Sequence, residues 1–168
     1  MNRNNLVSIA KFIFLLFLQS FLLNNINFLG FINPNLYLLY FIVYRLDTNP
    51  TLLIFMGFLM GILLDLLTQG SGGHTIAALT ITFLRPYIIK ISFGVNADNP
   101  TAMIQGSLLS QRLLYLSLMI FFHHLLLYSI VYWSFDHLLS ILKNTFFTSF
   151  FTFILVYLSL GLYSGKND

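Results

Sequence analysis

The chain has 168 residues, 58% of them hydrophobic and only 8% charged, with a net charge of +3. Soluble domains carry roughly 25% charged residues, so a water-covered surface is excluded and 1–168 reads as one polytopic domain dissolved in a bilayer. The basic residues are scattered singly, which excludes a nucleic-acid footprint, and the absence of cysteine excludes disulfides, thiolate nucleophiles and Cys-ligated metals.

A spanning helix takes about 20 apolar residues. The first candidate, 7–29, is long enough, and no small-residue cleavage site follows it, so it reads as a retained anchor. The second, 33–46, is short by this measure. Four more follow at 51–67, 74–93, 113–133 and 138–163. Between them stand Asn33-Pro34-Asn35, Asp47-Thr48-Asn49-Pro50, Gly70-Ser71-Gly72-Gly73 and Ala97-Asp98-Asn99-Pro100, whose Pro and Gly punctuate helices because they lack a backbone donor or a side chain.

Lys and Arg set the orientation. With the N-terminus in the cytoplasm, Arg3, Lys11, Arg45, Arg85, Lys90, Arg112 and Lys166 fall toward the inner side, and only Lys143 toward the outer. That asymmetry needs 33–46 to cross. The expectation is an all-α bundle of six transmembrane helices with both termini cytoplasmic. Its longest polar connection, 94–112, faces the cytoplasm and is the loop that offers a soluble partner most surface.

Segment 51–67 carries Gly57 and Gly61 four apart on one face, continued by Asp65. Small residues at this spacing let another helix approach closely. That helix is either a neighbour in the same bundle or a partner's single span. Asp65 lies about 20 Å along its helix from the inner boundary, just before the glycine-rich turn. A carboxylate there accepts hydrogen bonds from loop amides and from the positive N-terminal end of the next helix; proton relay or substrate binding is the alternative role. Segment 74–93 places His74, Ala77, Ala78, Ile81 and Arg85 on one stripe. Arg85, about 16 Å from the outer end, is expected to snorkel toward the cytoplasm, and Pro86 behind it to kink the helix.

His123 and His124 stand near the middle of 113–133. Adjacent residues point about 100° apart, which suits inter-helix hydrogen bonds rather than a metal pair, for which spacing of three or four is wanted. The chain has no glutamate, and Asp47, Asp98, Asp136 and Asp168 fall in loops or at the tail. A second membrane carboxylate to work with Asp65 is missing. No catalytic residue, metal or cofactor is therefore expected, and an intramembrane enzyme built on Asp65 or the His pair would lack its second acid.

The series Gly57-x-x-x-Gly61-x-x-x-Asp65, Gly72-x-His74 and Phe83-Leu84-Arg85-Pro86 resembles the rod-shape-determining protein MreD family. So do Leu18-Gln19, Leu23-Asn24-Asn25-Ile26, Asn33-Pro34-x-x-Tyr37 and His123-His124. The likeness covers nearly the whole chain. It departs at Arg45-Leu46, where an uncharged pair is usual, and at Asp136, near where Glu is usual. The resemblance implies a multi-pass protein of the bacterial cytoplasmic (inner) membrane that belongs to the elongasome with MreC, MreB, RodA and a class B penicillin-binding protein. It implies no catalytic activity, and a six-helix arrangement similar to the substrate-binding components of ECF vitamin transporters. The expected function is a non-enzymatic scaffold that binds the single span of an MreC-like partner through Gly57 and Gly61, supporting cell-shape maintenance and peptidoglycan synthesis. The alternative is a small-molecule-binding or transport component of the ECF type, with Asp65, His74 and Arg85 as polar groups of its cavity. Membrane lipid surrounds the protein in either case.

Overall fold

A computed structural model describes residues 3–44, 49–94 and 107–164. Arg45 to Thr48, the connection 95–106 with Asp98, and the last four residues with Lys166 and Asp168 lie outside the described residues. The described chain is helical, without strands. Helix α1 (Arg3–Phe17) passes into a π turn at Leu18–Leu22 and a 3₁₀ turn at Leu23–Asn25. Then come a short α2 (Leu38–Ile42), α3 (Pro50–Leu67), α4 (Gly73–Phe93), α5 (Leu109–Tyr132) and α6 (Leu138–Ser164).

Five of these helices are long and apolar enough to cross a membrane: Leu6–Asn25, Pro50–Leu67, Gly73–Phe93, Leu109–Tyr132 and Phe135–Gly161. Their outer faces are greasy, with Phe14, Leu66, Ile91, Leu139 and Phe146 all exposed, as lipid requires. Helix ends follow local chemistry. Asn49 caps α3 through a 2.9 Å bond from the Thr51 amide, with Pro50 in the first turn. Gly72 (φ +84°) opens α4 and Gly94 (φ +89°) closes it, in left-handed or extended conformations that favour glycine. Between them α4 continues through Pro86 to Phe93.

The second segment departs from expectation. Among the described residues of this segment, 33–44, only Leu38–Ile42 form an α-helix, far short of a span. Its burial explains how so short a piece suffices: Ile32, Tyr37, Leu38 and Phe41 are completely enclosed. The segment is threaded through the bundle, and the lipid-facing helices close around it. Irregular backbone at membrane depth is tolerated where protein supplies the missing hydrogen bonds, and here side chains do so. Gln19 Nε2 donates to Pro34 O at 3.1 Å, Thr152 Oγ1 accepts the Asn35 amide at 3.0 Å, and Arg85 donates to Ile42 O at 3.3 Å and Tyr44 O at 2.5 Å. The π turn that follows α1 accompanies this arrangement: Gln19 and Ser20 are buried within it, and such widened turns are frequent at functional sites.

The contacts also give direction. Gly57 of α3 faces Ala78 and Thr82 of α4, and Gly61 faces Thr75, so the two helices run antiparallel. Asn35 lies beside His124, and Ile42 and Tyr44 lie beside Arg85. The threaded segment therefore runs parallel to α4. One end of the bundle, the upper end hereafter, holds Asn25, the α3–α4 turn and the α5–α6 turn. The opposite, lower end holds the start of α1, residues 93 and 109, and the end of α6.

Candidate functional site

The glycine face is closed. A Cβ added at Gly57 would lie 2.5 Å from Thr82 Oγ1, and one added at Gly61 would lie 2.5 Å from Thr75 Cα. Both glycines exist to seat α3 on α4, where Ala77 and Ala78 are likewise fully buried. Of the two occupants expected for this face, a neighbour in the same bundle and a partner's span, the neighbour fills it: α4 of the same chain lies against both glycines.

One turn further up, Asp65 caps α4 from the end of α3. Its Oδ1 accepts the His74 amide at 3.2 Å, and its Oδ2 accepts the Thr75 amide at 2.8 Å and the Thr75 hydroxyl at 2.5 Å. A negative side chain is placed on the first free amides of α4, where the helix dipole is positive. The intervening turn is shaped for this. The Gly70 amide bonds Asp65 O at 2.7 Å, and a Cβ at Gly70 would fall 2.5 Å from Asp65 Oδ1. Replacing Asp65 with alanine should destabilise the protein by about 2–3 kcal/mol, since a cap and charge-assisted bonds are lost together. Asp65→Asn, which keeps an acceptor, should lose about half as much. Thermal unfolding in detergent checks both. A wild-type melting temperature for Asp65→Ala would contradict the capping role.

Arg85 does not snorkel. It is 3% exposed. Its Nε donates to Tyr115 Oη at 2.9 Å, and one guanidinium nitrogen donates to the carbonyls of Ile42 and Tyr44. Those carbonyls stand at and just after the end of the short α2, where the last carbonyls of a helix lack intrahelical donors. The fork of donors on arginine can satisfy several such acceptors at once, which is why the head stays inside. Thr75 and Arg85 are ten residues apart on α4, about 15 Å, so Asp65, His74 and Arg85 do not share a cavity.

Above Arg85 a network of neutral polar groups occupies the core. Tyr37 Oη bonds His123 Nε2 at 2.6 Å and His74 Nδ1 at 3.3 Å. His124 Nδ1 is 2.7 Å from Ile120 O, which can only accept. Nδ1 therefore carries the proton, and Nε2 accepts from Asn35 Nδ2 at 3.2 Å and Thr152 Oγ1 at 3.3 Å. Gln19 joins α1 to the same knot through Asn24 and Asn35. The two histidines thus reach different neighbours, as their angular separation requires. Read from sequence, Gln19 and Tyr37 have a place only in the family likeness and Asn35 only in a helix break, and Tyr115 and Thr152 have no assigned role. The available signal was polar side chains lodged in otherwise apolar runs, at Gln19 and Thr152 above all. Among the described residues no three His, Cys, Asp or Glu side chains converge to hold a metal ion.

At the upper end this network opens into a cleft of about 560 Å³. Its walls come from the end of α1, the Asn33–Asn35 stretch, the α3–α4 turn and the last turns of α5. His74 and Asn35 lie on its inner side, joining it to His123 and His124. No family model matches the chain, and neither a curated protein nor a solved structure does.

Proposed function

We propose that the chain is a non-enzymatic scaffold of the bacterial cytoplasmic membrane, as its resemblance to the MreD family implies. In this reading the threaded segment counts as a sixth crossing. The lower end, with both termini, faces the cytoplasm, and the arrangement is similar to the substrate-binding components of ECF transporters. The protein works beside an MreC-like single-span partner, RodA, a class B penicillin-binding protein and MreB. The observation that carries the proposal is the internal use of the motif. Gly57 and Gly61 seat α4, Asp65 caps it, Gly72 turns the chain, His74 bonds Tyr37 and Arg85 ties down α2. Groups so engaged build a rigid body and leave the apolar flank as the working surface.

With the glycine face occupied, the partner's helix is assigned to the shallow groove between α1 and α6. There Phe14, Leu39, Val43 and Leu160 surround a recess of about 150 Å³. Affinity purification in mild detergent should recover an MreC-like single-span protein. Leu160→Trp, which fills the groove, should cut that recovery about tenfold. Purification without any such partner would contradict the scaffold, and undiminished recovery with Leu160→Trp would move the contact elsewhere.

The cleft favours a second reading, a small-molecule-binding or transport component whose working surface is the upper recess. A compound recovered by organic extraction of the purified protein would support it, and a protein carrying none would not.

A further inference from the structure

The upper cleft has an unusual lining for a membrane protein. Its residues include the carboxamides of Asn24, Asn25, Asn33 and Gln69, the hydroxyl of Tyr128 and the ring of His74, and no Lys, Arg, Asp or Glu. An anionic ligand would want fixed positive charge and a metal ion would want carboxylates; the walls offer neither. Asn33 is paired with Asn27, Asn24 Oδ1 accepts from Gln19 and Asn25 Nδ2 donates to Phe21 O, which leaves Asn24 Nδ2 as a donor, Asn25 Oδ1 as an acceptor and the Gln69 carboxamide as both, side by side. That pairing matches hydroxyl and amide groups, which likewise give and take a hydrogen bond.

Gln69 singles itself out. It is exposed in the cleft wall, and its side chain makes no hydrogen bond to the rest of the described protein. Its backbone sits at φ +52°, a left-handed conformation that glycine or asparagine adopts at less cost. A strained residue with a free polar head in a cleft wall is the pattern of a side chain kept for contact rather than for folding. The volume of about 560 Å³ lies in the range of small-molecule sites, roughly 300–1,000 Å³. Leu67 and Val131 give the same cleft an apolar edge. Close by, Trp133 is 82% exposed, in the manner of tryptophans at a membrane boundary. A ligand with a polar head and an apolar neighbour at that height fits this layout.

We infer that the cleft binds a neutral, hydroxyl-rich group, in chemical terms a glycosyl unit, presented at the membrane boundary. This inference rests on the cleft-binding reading and is independent of the scaffold role. The glycosyl group reaches the cleft either on a lipid or as a free sugar. The carboxamides of Asn25 and Gln69 hold its hydroxyls, and the edge at Leu67 and Val131 lies against the apolar part.

The test uses the full chain in phosphatidylcholine nanodiscs that contain equal amounts of monoglucosyl diacylglycerol and phosphatidylglycerol. Native mass spectrometry reads the lipid retained on release, with maltose as a soluble competitor. The glycolipid should be retained about tenfold over phosphatidylglycerol. Gln69→Gly should lower that retention about tenfold, the worth of a well-made pair of hydrogen bonds. The same variant should melt no lower than wild type, because glycine relieves the left-handed strain. Val131→Trp, at an exposed wall position, should block retention without touching the polar network. Displacement by maltose would identify a soluble sugar as the source, and its failure to displace would identify a lipid-borne one. Equal retention of both lipids, or undiminished retention in both variants, would overturn the inference. A charged compound extracted from the cleft would also overturn it while leaving the cleft a binding site. No retained probe and no extracted compound would remove both.

Discussion

Arg85→Leu is expected to lower the stability of the protein by about 3 kcal/mol, roughly 10 °C in Tm for a chain of this size. The side chain is enclosed, and no carboxylate bonds it directly among the described contacts; it bonds the Tyr115 hydroxyl and the carbonyls of Ile42 and Tyr44. Leucine would fill the space and leave the Tyr44 carbonyl without its donor. A buried acceptor stripped of its partner costs about 1–3 kcal/mol, and charge-assisted bonds are lost with it. The Tyr115 hydroxyl would still reach Ile42 O at 3.4 Å, so the loss stays short of complete unfolding. Arg85→Lys should recover only part of the stability, because one ammonium cannot reproduce the planar fork. Thermal unfolding in detergent measures both. A leucine variant as stable as wild type would mean that the head lies in water after all.

The second large effect is expected at Gly61. An added methyl group would lie 2.5 Å from Thr75 Cα and 2.7 Å from His74 O. These are backbone atoms, so no side chain can swing aside, and α3 and α4 must part where Asp65 holds them together. Gly61→Ala should cost about 2–3 kcal/mol, at the upper end of overpacking. Gly161 supplies the internal contrast: its Cβ would meet nothing within 4 Å. Gly161→Ala should be neutral, or stabilising by up to about 1 kcal/mol through helix propensity. Equal melting temperatures for the two alanine variants would remove the reason given for Gly61.

What could be read in advance was what depends on neighbours in sequence. Five runs of apolar residues became five long helices because length and hydropathy decide that alone. The cap at Asp65 was legible because a carboxylate stood a few residues before a glycine turn and a new helix. The thread at 33–44 was not, because its hydrogen bonds come from afar: Gln19 in the π turn after α1, Arg85 in α4 and Thr152 in α6. Only folding places those groups beside it. The same distance hid the position of Arg85, whose depth along α4 was right but whose acceptors lie thirty residues later, at Tyr115, and more than forty earlier, at Ile42 and Tyr44. Gly57 and Gly61 teach a related lesson. Spacing identifies a surface made for close approach, and the identity of the approaching helix is a tertiary fact. The cleft was illegible for the same reason, since its carboxamides come from three separate stretches of chain.

The account turns on one claim: the glycine, carboxylate and arginine series is consumed inside a single chain, with α3 seated directly on α4. The chain contains no cysteine, so a pair introduced by Gly57→Cys and Thr82→Cys would stand alone. A Cβ at position 57 lies 2.5 Å and 2.8 Å from the two branches of Thr82, which puts sulfurs at 57 and 82 within reach of a disulfide. Mild oxidation in native membranes should close that bond within one chain, with loss of maleimide reactivity and no change in apparent mass. Thiols that stay free, or that link position 57 to another protein, would contradict it.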